Sequence, residues 1–270
     1  MARNLRPTRP APRSAPRTAW GWAWAGALVG VLPAVVAFAP AHWLAGGVAR
    51  ATQGQVLLLQ PRGTVWTGSA QLVLTGGQAS KDSAALPGRV DWQLRPTWGG
   101  LSAQLHAGCC TPEPLRAQVH LRWAGPQITV ADGQSQWPAA LLAGLGTPWN
   151  TLQPQGQLAL QTRALTAQWA AGRMVLSGQA QMDARAMSSR LSTLRPMGSY
   201  RLVLQGGEVP TLALSTLDGA LQLSGSGQWV GNRLRFAGEA SATPEREAAL
   251  SNLLNIIGRR NGARSIITVG

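Results

Sequence analysis

From residue 89 onward the chain repeatedly alternates apolar and polar side chains, and no other feature limits the fold as strongly. "RVDWQL" (89–94) puts Val90, Trp92 and Leu94 on one side. "QVHLRW" (118–123) does the same with Val119, Leu121 and Trp123, and "ALQLSG" (220–225) and "RLRFAG" (233–238) repeat the habit. Successive side chains of a strand point to opposite faces, so this period of two predicts half-buried antiparallel strands with one face on a core. Gly76-Gly77, Gly99-Gly100, Asp132-Gly133 and Gly206-Gly207 punctuate them at hairpin-like intervals. "GSGQW" (225–229) reads as a turn between strands.

A short word recurs. "LQPRG" (59–63), "LQPQG" (152–156) and "LRPMG" (194–198) share L-x-P-x-G, and each leads into an alternating segment. Proline fixes φ and ends what precedes it, while glycine permits a positive φ where the strand begins. The spacing predicts a duplicated hairpin unit. Helices are expected at "PAALLAGLG" (138–146), "DARAMSSRLSTLR" (183–195) and "TPEREAALSNLLNIIG" (243–258). In the last, Thr243 can cap, Pro244 suits the first helical position, Glu245 and Glu247 complement the dipole, and Gly258 ends the run. Its stripe of Leu250, Leu253, Leu254 and Ile257 must pack on something, either the domain's own sheet or a partner. Arg259 and Arg260 follow and could pair with a neighbour's acids or offset the helix dipole. "RSIITVG" closes as a strand.

The N-terminus has a different character. Arg3, Arg6, Arg9, Arg13 and Arg17 precede a stretch without a charged side chain up to Arg50. As a helix, Trp20 to Trp43 would rise about 35 Å, more than the roughly 30 Å hydrocarbon core. Trp20, Trp22 and Trp24 stand at one end and Trp43 at the other, as interfacial anchors would. The expected organisation is a basic cytoplasmic arm (1–18), a transmembrane helix (19–43) and an extracytoplasmic β-rich domain (44–270), oriented by the arginines. The rival reading is a cleaved signal peptide, with Ala39-Pro40-Ala41 as its cleavage site before His42. In either case the bulk of the chain leaves the cytoplasm.

A net charge of +14 suggests nucleic acid, but Lys81 is the only lysine among the 24 basic residues. Heavy arginine, alanine and glycine usage looks like genome composition. Beyond the apolar stretch no basic run with interleaved aromatics occurs, so no nucleic acid is expected. The arm's charge favours anionic membrane lipid.

Catalytic chemistry is sparse. The three histidines (His42, His106 and His120) are scattered, and the ten acids are isolated. No nucleophile elbow, phosphate loop, dinucleotide fingerprint or metal spacing occurs. No enzyme, cofactor or metal is therefore expected. Cys109 and Cys110 are the whole cysteine complement. Outside the cytoplasm they could close a vicinal disulfide, and the alternatives are two buried thiols or a metal or redox role.

Four segments carry a resemblance: "GTVWTGSAQL" (63–72), "PMGSYRL" (196–202), "DGALQLSGSGQW" (218–229) and "FAGEASATPEREAALSNLLNIIGRRNGARSI" (236–266). They are similar to the type II secretion system protein N family, most specifically at "LLNIIGRRNGARS". The resemblance implies a single-pass protein of the bacterial inner membrane with a periplasmic domain. It also implies a non-enzymatic accessory or scaffold role beside other inner-membrane platform subunits, in export of folded proteins across the outer membrane. The fold expected is mainly β: one anchor helix, then an elongated, curved antiparallel sheet with a few covering helices. Such a sheet is similar to the grooves of the AsmA type, which makes binding of lipid or another hydrophobic ligand the alternative function.

Overall fold

The structure is a computed structural model that describes residues 20–123, 125–170, 173–231 and 233–270. The basic arm, with its five arginines, lies outside the described residues, as does the side chain of Trp22. The chain divides into two compact units, residues 1–38 and 39–270.

Of the first unit, helix α1 (Trp20–Ala37) is described. The single helix expected over residues 19–43 is instead interrupted. Pro40 is extended (φ −71°, ψ 148°), and α2 (Ala41–Ala51) starts after it. A proline pushes its predecessor away from helical geometry, which is the local cause of the break. No described helix is long and apolar enough to cross a membrane. Trp43 belongs to α2, in the second unit.

The second unit is one large antiparallel sheet. Its strands are β1 (Val56–Gly63), β2 (Thr67–Thr75), β3 (Ser83–Ala85), β4 (Val90–Thr97), β5 (Gly100–Ala107), β6 (Leu115–Arg122), β7 (Gly125–Val130) and β8 (Gly133–Pro138). They continue as β9 (Gln155–Ala170), β10 (Arg173–Ser188), β11 (Gly198–Gly207), β12 (Thr211–Gly219), β13 (Leu221–Val230), β14 (Arg233–Ala242), β15 (Arg259–Asn261) and β16 (Arg264–Val269). The order is β1-β2-β4-β5-β6-β7-β9-β10-β11-β12-β13-β14-β16-β15, and β1 and β15 do not pair with each other, so the sheet is open. Both edges are blunted, β1 by Pro61 and Arg62, β15 by its three-residue length and two arginines.

Asp132-Gly133 is not a hairpin. β7 and β8 lie end to end along β9, with Val130 opposite Leu165 and Gly133 opposite Thr162. The chain only jogs there, and the Asp132 carboxylate accepts the Ala164 N–H at 2.6 Å. Nor is "GSGQW" a turn: it lies inside β13. A Cβ at Gly225 would come within 2.5 Å of the Phe236 ring on the paired strand, so the glycine leaves room for that aromatic.

Two expected helices are also revised. Residues 139–145 form a 3₁₀ helix rather than an α-helix. Residues 183–188 belong to β10, because Asp183 pairs with Arg201 across to β11 and Ala184 with Tyr200. A four-residue helix α3 (Trp149–Leu152) precedes β9. The terminal helix begins as a 3₁₀ turn at Pro244–Arg246 and continues as α4 (Glu247–Ile257). Thr243 gives it no side-chain cap; its N–H instead donates to the Ala220 carbonyl at 2.9 Å. The later two L-x-P-x-G copies each open a hairpin, β9–β10 and β11–β12, whereas the first lies within β1 at a register break.

Three apolar clusters fill the domain. Ala41, Ala70 and Trp92 join α2 to the first strands. Leu86, Val90, Ala107 and Cys110 pack with Leu141 of the 3₁₀ helix. Met197, Tyr200, Leu221, Ala240 and the α4 leucines make the third.

Candidate functional site

Strands β9 to β13 present Leu158, Met182, Tyr200, Leu202, Leu214 and Leu223 to one side. On that side α3 contributes Trp149 and Leu152, and α4 contributes Leu253, Ile256 and Ile257. Between floor and roof lies a cavity of about 500 Å³ with an almost wholly apolar lining. A space of that size suits one small ligand rather than a continuous conduit.

Tyr200 is the only tyrosine of the chain, and it lines this cavity. The residue is 7 % exposed, and its Oη is buried without a hydrogen-bond partner among the described residues. Burial, helped by the charge of Asp218, pushes its pKa above the usual phenol range. The group is therefore a neutral donor at physiological pH, in a place where an unmatched hydroxyl carries a desolvation cost. The hydroxyl lies over the backbone at Gly198, so what Tyr200 offers the cavity is its ring, and the lining suits an apolar ligand.

The opposite face is polar. Arg201 grips the buried carboxylate of Asp183 with two bonds, Nε to Oδ1 at 2.8 Å and Nη2 to Oδ2 at 2.9 Å. Gln181 donates to the same Oδ1 at 3.1 Å, and Arg185 stands 3.6 Å away. The Arg201 bonds hold Asp183 below the usual carboxylate range. Gln134, Gln136 and Gln161 continue this surface along β8 and β9. With its valences filled by arginine, Asp183 is a structural anion and not a base.

The residues singled out in the sequence fall elsewhere. Leu250, Leu253 and Leu254 are 0 %, 1 % and 0 % exposed. The stripe is thus a core-facing surface, not an open partner face, because α4 must bury an apolar side and the adjoining sheet offers one. Ile257 is half-buried against the same cluster. Arg260 is committed to Glu247 at 2.8 Å, which leaves Arg259 exposed. Cys109 and Cys110 are bonded to each other in the β5–β6 connection, Cys109 exposed and Cys110 buried beneath Leu141. Trp20, Trp24 and Trp43 are 68 %, 63 % and 54 % exposed.

His106 Nδ1 contacts Thr111 Oγ1 at 3.1 Å and His120 Nε2 contacts Gln118 Oε1 at 3.2 Å, so each is occupied locally. Among the described residues no three His, Cys, Asp or Glu side chains cluster as a metal site. The sequence did not point to Tyr200 or the cavity. The one available signal was a lone tyrosine at an inward position of "SYRLVLQ".

No curated protein and no solved structure matches the chain. A family model described as type II secretion system (T2SS), protein N, matches residues 54–267, from just ahead of β1 into β16. That match covers the sheet almost to its last residues, with α3, α4 and the cavity between them, and the chain belongs to the type II secretion system protein N family.

Proposed function

We propose that the protein is a non-enzymatic accessory and scaffold subunit of the type II secretion system. In this reading the N-terminal apolar segment holds it in the bacterial inner membrane, with residues 1–18 cytoplasmic and the β domain periplasmic. Family membership implies a role in type II secretion and contact with other components of that system. The observation that carries the scaffold reading is the two-faced sheet. One face is packed by the chain's own helices, while the other is polar across β8 to β11, where it offers recognition groups such as Gln134, Gln136 and Arg185 but, among the described residues, no metal-type cluster. The absence of charge between Arg17 and Arg50, after five arginines, supports a retained anchor.

The test is deletion. Folded enzymes should accumulate in the periplasm while general export across the inner membrane continues. Reporter fusions after Arg50 and at Gly270 should be active only on the exported side. A mature chain that begins at His42 would replace the anchor with a signal peptide.

The cavity favours a second reading, binding of one small hydrophobic ligand such as a fatty acyl chain. A lipid conduit would need an uncovered apolar face, and α4 and the 3₁₀ helix cover much of this one. Native mass spectrometry of the full chain extracted from membranes should then find a bound lipid that the cavity-filling change Leu214→Trp weakens. A deletion that leaves secretion intact but alters outer-membrane permeability would favour this reading over the scaffold.

A further inference from the structure

The two ends of the sheet are built differently. One end carries the long connections: the cysteine pair, the 3₁₀ helix with α3, the β10–β11 loop, and α4. The other carries short turns. Three of these lie consecutively: Thr64–Trp66 between β1 and β2, Trp98-Gly99 between β4 and β5, and the turn at Trp123 between β6 and β7. The pairings Thr67 with Gln93 and Gly100 with His120 place them side by side at that same end.

The second unit also begins there. Pro40 bridges to Thr64, and the Val65 N–H donates to the Ala39 carbonyl at 2.8 Å. Trp92 fixes this corner by donating its indole N–H to the Val65 carbonyl at 3.0 Å. The start of the second unit therefore lies at the same sheet end as the Trp98 and Trp123 turns, with the Trp98 turn about two strand spacings from Thr64–Trp66.

"QVHLRW" predicts Leu121 and Trp123 on a buried face, and the structure contradicts it. Leu121 is 75 % exposed, and Trp98 and Trp123 are 103 % and 109 % exposed, as open as in an extended peptide. Nothing in the described chain covers them. Their turns lie about 10 Å apart, two strand spacings. Exposed Arg62, Arg95 and Arg122 flank them, and residues 61–67, 94–102 and 120–127 contain no acid. Indole rings settle at the headgroup level of a bilayer, and guanidinium groups pair with lipid phosphate.

We propose that the Trp98 and Trp123 turns, with Arg95 and Arg122, dock into the headgroup layer of the anionic membrane that holds the N-terminal segment. The domain would then rest on the bilayer by one sheet end, leaving the helix-bearing end farther from the surface. This rests on the membrane-anchored reading above, and the experiment separates the two.

The full chain is reconstituted in vesicles of phosphatidylglycerol and phosphatidylethanolamine. Nitroxide labels are placed at Thr97→Cys, Leu121→Cys and, at the opposite end, Glu113→Cys. Labelling omits reductant, so the Cys109–Cys110 bond stays closed. Flotation reports the anchor, and relaxation by oxygen against an aqueous nickel chelate reports depth. The proposal expects an oxygen-to-nickel ratio several-fold higher at 97 and 121 than at 113. Trp98→Ala with Trp123→Ala should remove that difference without affecting flotation. A chain that floats while positions 97 and 121 stay as water-accessible as 113 overturns the docking and spares the anchor. Shielding that appears only after another protein is added also overturns it, in favour of a protein partner. Failure to float overturns both.

Discussion

Replacing Leu254 by alanine tests whether α4 serves the fold or a partner. Leu254 is 0 % exposed and packs with Leu221, Ala240 and Leu250. The change deletes three buried carbon groups, about 2.4 kcal/mol at ~0.8 kcal/mol each. Partial collapse of the space left behind brings the expected cost to roughly 3–4 kcal/mol. The Leu254 carbonyl, which accepts the Ser265 hydroxyl, survives in alanine, so the loss is one of packing. Ile256 is the control on the same helix, 47 % exposed, and Ile256→Ala should cost less than about 1.5 kcal/mol. Urea unfolding of the detergent-solubilised full chain, followed by tryptophan fluorescence, reads the difference. With a slope of about 2 kcal/mol per M, the midpoint for Leu254→Ala falls by roughly 1.5–2 M. An unchanged midpoint, combined with lost co-purification of other secretion components, would refute the packing argument and make the stripe an interface.

Asp183 makes stability depend on acid. Its folded pKa is lowered, so its contribution is complete above the ordinary carboxylate value of about 3.9 and is lost as pH falls through the lower folded value. Asp183→Asn should therefore be the less stable protein at pH 7 and approach wild type near pH 3; a gap that stays constant across that range would sink this account. Changing Cys109 and Cys110 together to serine should cost only about 1–2 kcal/mol, because the ring is tiny and the main loss is an apolar contact at Cys110. Secretion abolished while folded protein persists at its normal level would assign the pair a redox or assembly role instead.

The sequence made the class of fold legible because one-sided strands write their burial into every second residue. Val90 and Trp92 alternate inward as read. The reading failed where a residue's environment is set by distant chain. Residues 183–188 have helical-looking spacing, yet Asp183 meets Arg201 eighteen residues on, and β11 draws the segment into the sheet. Asp132-Gly133 has turn chemistry, but β9 is long enough to hold both β7 and β8, so the chain runs on. Leu121 and Trp123 obey the alternation but stand past the reach of the core, where periodicity carries no information about depth. The cavity had no local signature: its floor comes from five strands and its roof from α3 and α4.

The order of the sheet bears on how the domain comes into being. With β7 and β8 counted as one crossing, nearly every strand pairs with the one before it in the chain, the short β3 and the final β15–β16 pair aside. Each new strand closes only a short loop, and no early strand has to wait for a late one. A chain delivered from its N-terminus, by a ribosome or through a translocation channel, can therefore add crossings one at a time onto a growing edge. Only at the finish does α4 arrive to cover the strands already laid down from β11 to β14. Until then that apolar face stands open, so the interval before the last thirty or so residues emerge is when the domain is most exposed to aggregation and proteolysis.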